Sequence, residues 1–221
     1  MINKATLWGT SLSVALLSTS AFAVAPIGNT TQKGSLLIFP RIDVSGNKDT
    51  LIRITNDYSK PVQLKCYFMD IDKNKVDFEV KLTMNQPFWF NAKSGDGTLH
   101  VQPFPTFGGN YTGELKCWAV SPNGANQIAW NHLVGSATIY DYGSRQAAEY
   151  NAWGFEALAS EGAIVGHPGR LDLDGVSYDK CPRTLIGQFT PTTVKPIIPV
   201  PADGTVQLSV ASCTQDLKRI S

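Results

Sequence analysis

The stretches QLKCYF (63–68) and ELKCWA (114–119) repeat one order of residues, Leu, Lys, Cys and an aromatic ring, fifty-one positions apart. Side chains two apart on an extended strand share a face. Leu64, Cys66 and Phe68 therefore point one way, and Lys65, Tyr67 and Met69 the other. In the second stretch Leu115, Cys117 and Ala119 oppose Lys116, Trp118 and Val120. The lysine side reads as the wetter one, so both cysteines are expected to look inward from separate strands. The flanks of the two stretches do not otherwise align, and the match is read as strand patterning, not as an internal repeat.

The meaning of two inward cysteines depends on the compartment. The chain opens MINKATLWGTSLSVALLSTSAFAVAP, with Lys4, a short apolar run over 7–17 and Ala21-Phe22-Ala23 as a small-x-small cleavage signal. Gly9, Thr10, Ser11 and Ser13 interrupt the run, which falls short of the ~20 apolar residues of a spanning helix. Residues 1–23 are therefore expected to be a cleaved secretory signal, and the protein to be secreted or periplasmic. No cysteine lies near the cut to carry a lipid, and no later stretch reads as a membrane span. In an oxidising compartment Cys66, Cys117, Cys181 and Cys213 are disulfide candidates. Four cysteines allow three pairings, which sequence alone does not separate. The preferred reading joins Cys66 to Cys117 across the core and Cys181 to Cys213 as a C-terminal staple. Zinc sites usually hold ligands two to four residues apart. No cysteine pair here does, so neither a metal nor another cofactor is expected.

Nineteen basic against eighteen acidic residues make a nearly neutral chain, and removing Lys4 with the signal balances it. No basic stripe points to a nucleic acid, and 43% hydrophobic residues describe an ordinary globular protein. Short β-branched and aromatic runs lie between turn signals, which reads as strands. They are expected at 35–39, 50–56, 62–69, 76–82, 86–91, 112–120, 127–140 with a break near Gly135, 183–189 and 205–211. The segment 145–160 has helix-friendly composition, but Gly154 and the turn at 142–144 favour a strand. Proline excludes 191–204 from a central strand. The expected organisation is a β-sandwich over 24–190, followed by a Pro-rich connector and C-terminal strand over 191–221.

With inward cysteines on separate strands, the chain resembles an immunoglobulin-like antiparallel sandwich. It departs from the antibody pattern at Leu115, where the corner motif has Tyr, and no Trp follows Cys66 at strand-and-turn distance. GSLLIFPRIDV (34–44), LKCWAVSPNGANQIAWNHLVGSATIYDY (115–142) and ASCTQDLKRIS (211–221) are similar to a group of uncharacterised exported bacterial β-sandwich proteins. That resemblance implies export and no particular activity. Members of the group continue past the QDLK stretch, which implies that this chain is a short form.

Few residues propose chemistry. DIDKNKVDFEVK (70–81) opens like a calcium loop at Asp70, Asp72 and Asn74, but Lys75 and Lys81 stand where glycine and the bidentate glutamate belong. It reads as a hairpin turn, and LDLDG (171–175) likewise as a turn. His100, His132 and His167 form no zinc-protease motif. The Gly135-Ser136 region lacks the second glycine of a nucleophile elbow, and no phosphate-binding glycine motif occurs. The remaining candidates are aromatic. In Phe88-Trp89-Phe90 the phenylalanines share a face and Trp89 takes the other, while Trp118 lies opposite Cys117. Such rings read first as core, since an aromatic buries much apolar area; Trp89 and Trp118 are the candidate binding rings for a protein or glycan where an exposed pair shares one sheet face. The leading expectation is a non-enzymatic envelope or extracellular structural and interaction module. A carbohydrate-binding module is the alternative, and a hydrolase with an unrecognised carboxylate site comes third.

Overall fold

A computed structural model describes residues 27–104, 111–184 and 209–217. The signal at 1–23 and the connector at 191–204 lie outside these residues. Period-2 alternation becomes thirteen strands, and no helix occurs among the described residues. The main strands are β1 (Leu36–Asp43), β2 (Lys48–Asn56), β3 (Val62–Asp70), β4 (Lys75–Leu82), β5 (Pro87–Asn91) and β6 (Thr112–Val120). They continue with β7 (Gln127–Ile128), β8 (Leu133–Asp141), β9 (Gln146–Asn151) and β10 (Trp153–Phe155). Three short strands close the series: β11 (Ile164–Gly166), β12 (Arg170–Asp172) and β13 (Thr214–Asp216).

One sheet runs β10-β1-β6-β3-β4, extended by β7 and β11, and the other runs β5-β2-β8-β9, with every ladder antiparallel. Their inner faces share one core. Ile52, Ile54, Phe88, Phe90 and Leu133 of the second sheet belong to it with Leu64, Phe68, Val80 and Leu115 of the first. The expected all-β antiparallel sandwich is therefore present. Segment 145–160 holds strand over most of 145–155, in line with the strand reading: β9 belongs to the second sheet, and past Ala152 the chain re-enters the first as β10, while 156–160 form no strand.

Several local readings are corrected. The 127–140 stretch divides at 129–132, not at Gly135, and β8 runs unbroken through that glycine. A Cβ at Gly135 would stand 2.7 Å from the Phe39 ring, so the glycine provides close packing. Arg183 and Thr184 are not strand, and the rest of 183–189 lies outside the described residues. Of the expected strand at 205–211, residues 209–211 are not strand and the rest lies outside the described residues; among those described, the C-terminal strand is β13, which pairs with β12.

Both disulfides join the preferred partners, Cys66 to Cys117 and Cys181 to Cys213. The first does not cross the core, however. Cys66 and Cys117 sit directly opposite one another on neighbouring β3 and β6, with Cα atoms 4.1 Å apart. The antibody-type disulfide joins the two sheets, whereas this one locks two strands of one sheet. Both cysteines are fully buried, as inward-facing residues should be.

The lysine side of these strands is the larger correction. Residues following β10 fold back over the outer face of the first sheet and make a second core. Leu36, Ile38, Tyr67, Met69, Trp118 and Val120 pack there against Ala157, Leu171, Leu173, Tyr178 and Leu217. Lys116, expected on the wet side, is 1% exposed. Lys65 lies nearer the sheet edge, where its ammonium pairs with Asp77 and Glu79 of β4. Burial would lower its pKa, but those two carboxylates win and raise it.

The calcium-like loop is a hairpin turn between β3 and β4. The Asp70 carboxylate accepts from the backbone amides of Asp72 and Asn74 at 2.9 and 2.8 Å and from the Asn74 side-chain amide at 2.9 Å. Lys73 takes the left-handed conformation at φ 66°. Asp70→Ala is expected to cost about 1–3 kcal/mol, because it removes three hydrogen bonds accepted by a buried carboxylate. Calcium should leave the melting temperature of the parent protein unchanged. Thermal unfolding with and without the ion checks both statements.

Candidate functional site

Among the described residues, the outer face of the first sheet is covered and that of the four-stranded sheet lies open. Alternation sends Ile52, Ile54, Phe88 and Phe90 inward, so their neighbours Arg53, Thr55 and Trp89 face out. Register then lines up cross-strand rows. One row is Trp89, Arg53, Ser136 and Asn151; the next is Asn91, Leu51, Thr138 and Glu149. Directly opposed residues stand about 4.5–5.5 Å apart, so the rows form one continuous polar surface.

Arg53 is its centre. Its guanidinium donates to Thr138 Oγ1 at 2.8 Å and reaches Glu149 Oε1 at 3.3 Å. Ser136 Oγ donates to the same carboxylate oxygen at 3.3 Å. The bonds to Thr138 and Glu149 hold the guanidinium, and Trp89, the cross-strand neighbour of Arg53 on β5, is 45% exposed. A shallow depression of about 490 Å³ adjoins Arg53, walled by Thr31, Gln32, Thr55, Ser136 and Asn151. At the far end of the sheet Asp49 is buried, which pushes its carboxyl up. The backbone amides of Lys93 and Thr50 partly offset that effect.

The candidate aromatic pair is not assembled. Trp89 is on the open face as read. Trp118 belongs to the other sheet, is fully buried, and packs edge-on to Tyr67 at 5.6 Å. Its position opposite Cys117 was read correctly, but the second core covers that side. Trp130 is also core, donating its ring N–H to Asn56 at 3.1 Å. The rows that replace the pair centre on Arg53, Ser136, Thr138 and Glu149, which sequence reading did not select. The one available signal is the alternation of TLIRITN (50–56), which sets Arg53 and Thr55 opposite the apolar residues. Nothing local showed which strands of 133–151 would align with them.

The other sequence candidates have structural partners. His132 stacks on Tyr58 at 3.9 Å and faces Glu161 at 3.2 Å. His100 lies beside Asp96 at 3.4 Å on the surface. In LDLDG, Asp174 accepts from the Val176 amide at 2.9 Å and closes a turn. Among the described residues, no group of three His, Cys, Asp or Glu is placed to hold a metal ion. No helix among them is long and apolar enough to cross a membrane.

No protein-family model matches the chain, and no curated protein matches it. Among solved structures, the crystal structure of Thermotoga maritima 1070 is similar at 14% identity, covering 59% of this chain and 98% of that one, with a TM-score of 0.37. A likeness at that level carries no functional argument.

Proposed function

We propose that the chain is an exported, non-enzymatic interaction module of the envelope or extracellular space, with the outer face of the four-stranded sheet as its working surface. One observation carries this reading: the two outer sheet faces are treated unequally. The first sheet is roofed by a second core and a disulfide, while the second presents an ordered polar surface with an exposed tryptophan. Two disulfides support an oxidising compartment, and the signal-like N-terminus supports export. The partner is a protein or a glycan, not a nucleic acid.

A specific observation favours a glycan. An exposed indole beside fixed guanidinium, amide, hydroxyl and carboxylate groups offers a flat apolar surface for a sugar ring with donors and acceptors at its rim. Electrophoresis through gels containing soluble polysaccharides tests this. Retention by one polymer, weakened about tenfold by Trp89→Ala, is the expected result for an anchor residue. The melting temperature should stay unchanged, because Trp89 is outside both cores. If no polysaccharide retards the parent protein, the glycan reading falls.

A further inference from the structure

We infer that the free edge of β9 is a self-recognition surface at which two copies of this chain pair antiparallel about a two-fold axis at Ala148. The argument begins with the sheet edges. On β5 the following loop supplies partners, with the Thr98 amide bonding Trp89 O and the Asn91 amide bonding Asp96 O. The β4 edge carries Lys75, Asp77, Glu79 and Lys81, the charged guards that deter strand pairing. On β10, Gly154 exchanges backbone hydrogen bonds with Asn29. Among the described residues β9 pairs only with β8, and its sequence QAAEYN has neither lysine nor proline. A groove of about 730 Å³ runs beside it, bordered across from β9 by Pro40, Arg41, Trp153 and Ser209.

The ladder shows which groups are free. The Ala152 amide donates to Gly135 O, opposite it in the β8–β9 register. Antiparallel pairs alternate between bonded and non-bonded, so Gln146, Ala148 and Tyr150 bond toward β8. Ala147, Glu149 and Asn151 point their N–H and C=O groups outward.

Self-pairing must match those groups. A two-fold axis at Ala148 sets Ala147 against Glu149 of the second copy, so both residues exchange backbone hydrogen bonds. Ala148 then meets its own mate in the closer, non-bonded type of pair. Glu149 then has Arg145 and Glu149 of the second copy as its diagonal neighbours, and the longer Arg145 side chain is the one within reach of its carboxylate. Moving the axis to Glu149 would place two carboxylates face to face, which is unfavourable. Moving it to Ala147 would set Glu149 against Arg145, which leaves the strand at φ 56°, whereas the axis at Ala148 confines that mismatch to the outer Asn151 position. The axis at Ala148 pairs the outward groups of Ala147 and Glu149 without setting like charges directly opposite, and it is isologous, as a closed dimer requires.

Sedimentation velocity of the oxidised protein over a range of concentrations tests the pairing. A reversible monomer–dimer equilibrium is expected. Ala147→Pro removes an outward donor without touching the β8 ladder and should weaken association about tenfold, through one or two lost hydrogen bonds. Arg145→Glu and Glu149→Arg should each weaken it, and combining them should restore it. Oxidised Ala148→Cys should give a covalent dimer, since opposed cysteines at 4.1 Å between Cα atoms already bridge in this fold. A monomer at every concentration, or a dimer indifferent to Ala147→Pro, overturns the inference. Slow hydrogen exchange at Ala147, Glu149 and Asn151 in the dilute monomer overturns it too, because another segment of the same chain would then cover the edge.

Discussion

Replacing Cys66 and Cys117 together with alanine is expected to lower the unfolding free energy by about 4 kcal/mol. The bridge closes a loop of 51 residues, and the chain-entropy model assigns ~4 kcal/mol to a loop of that length. Net domain stabilities are about 5–15 kcal/mol, so the variant should be marginal at growth temperature. Location adds to the effect. Both sulfurs are in the core between the sheets, and the bridge sets the β3–β6 register from which the second core is built on the opposite face. Urea unfolding of the oxidised parent and the double variant measures the difference. A change below about 1 kcal/mol would mean that the unfolded chain is already constrained, contrary to the model's premise.

Glu114→Ala is expected to cost a similar amount, about 3–5 kcal/mol, because it leaves the Lys116 ammonium buried without its countercharge. Glu114, Lys116 and Trp118 alternate on the covered face of β6. The Lys116 ammonium donates to the Glu114 carboxylate and to Gln215 Oε1 at 2.7 Å. Burial is the dominant influence and holds the lysine pKa below its ordinary value, with Glu114 opposing that effect. Between the lowered folded pKa and the ordinary value, the unfolded chain binds the proton more readily. Stability should therefore rise with pH through that window. Below it the buried ammonium carries its full desolvation penalty. Lys116→Met combined with Glu114→Leu should be neutral or stabilising, since matched apolar replacement of a buried pair often is. It should also remove the alkaline rise. Unfolding curves at several pH values, for the parent, Glu114→Ala and the double variant, check the sign and the size. An unchanged alkaline slope in the double variant would assign the titration to another group.

The two experiments address different determinants. The cysteine pair was legible from local alternation and compartment chemistry, because inward position is a property of one strand and its neighbours. The lysine pair was not. Lys65 and Lys116 occupy equivalent places in the two Leu-Lys-Cys stretches, yet one reaches surface carboxylates and the other is buried. Their difference comes from residues after β10, whose Leu171, Leu173, Tyr178 and Leu217 complete the second core. The same cover buries Trp118, whereas Trp89, on the other sheet, stays exposed.

Sequence alone determined the all-β class, the alternating faces of β2 to β6, the four bridged cysteines and the turn at Asp70. These depend on a two-residue period, on turn propensity and on thiol chemistry, all of which act over a few residues or follow from composition. Tertiary structure decided sheet membership, the position of the first disulfide within one sheet, and the rows that bring Arg53 to Ser136, Thr138 and Glu149. It also decided which outer face would be dry. Such outcomes depend on register between strands some 80 to 100 residues apart, as Arg53 and Ser136 or Lys116 and Gln215 are. Alternation records that a side chain leaves one face of its strand; what meets it there is set by the rest of the chain.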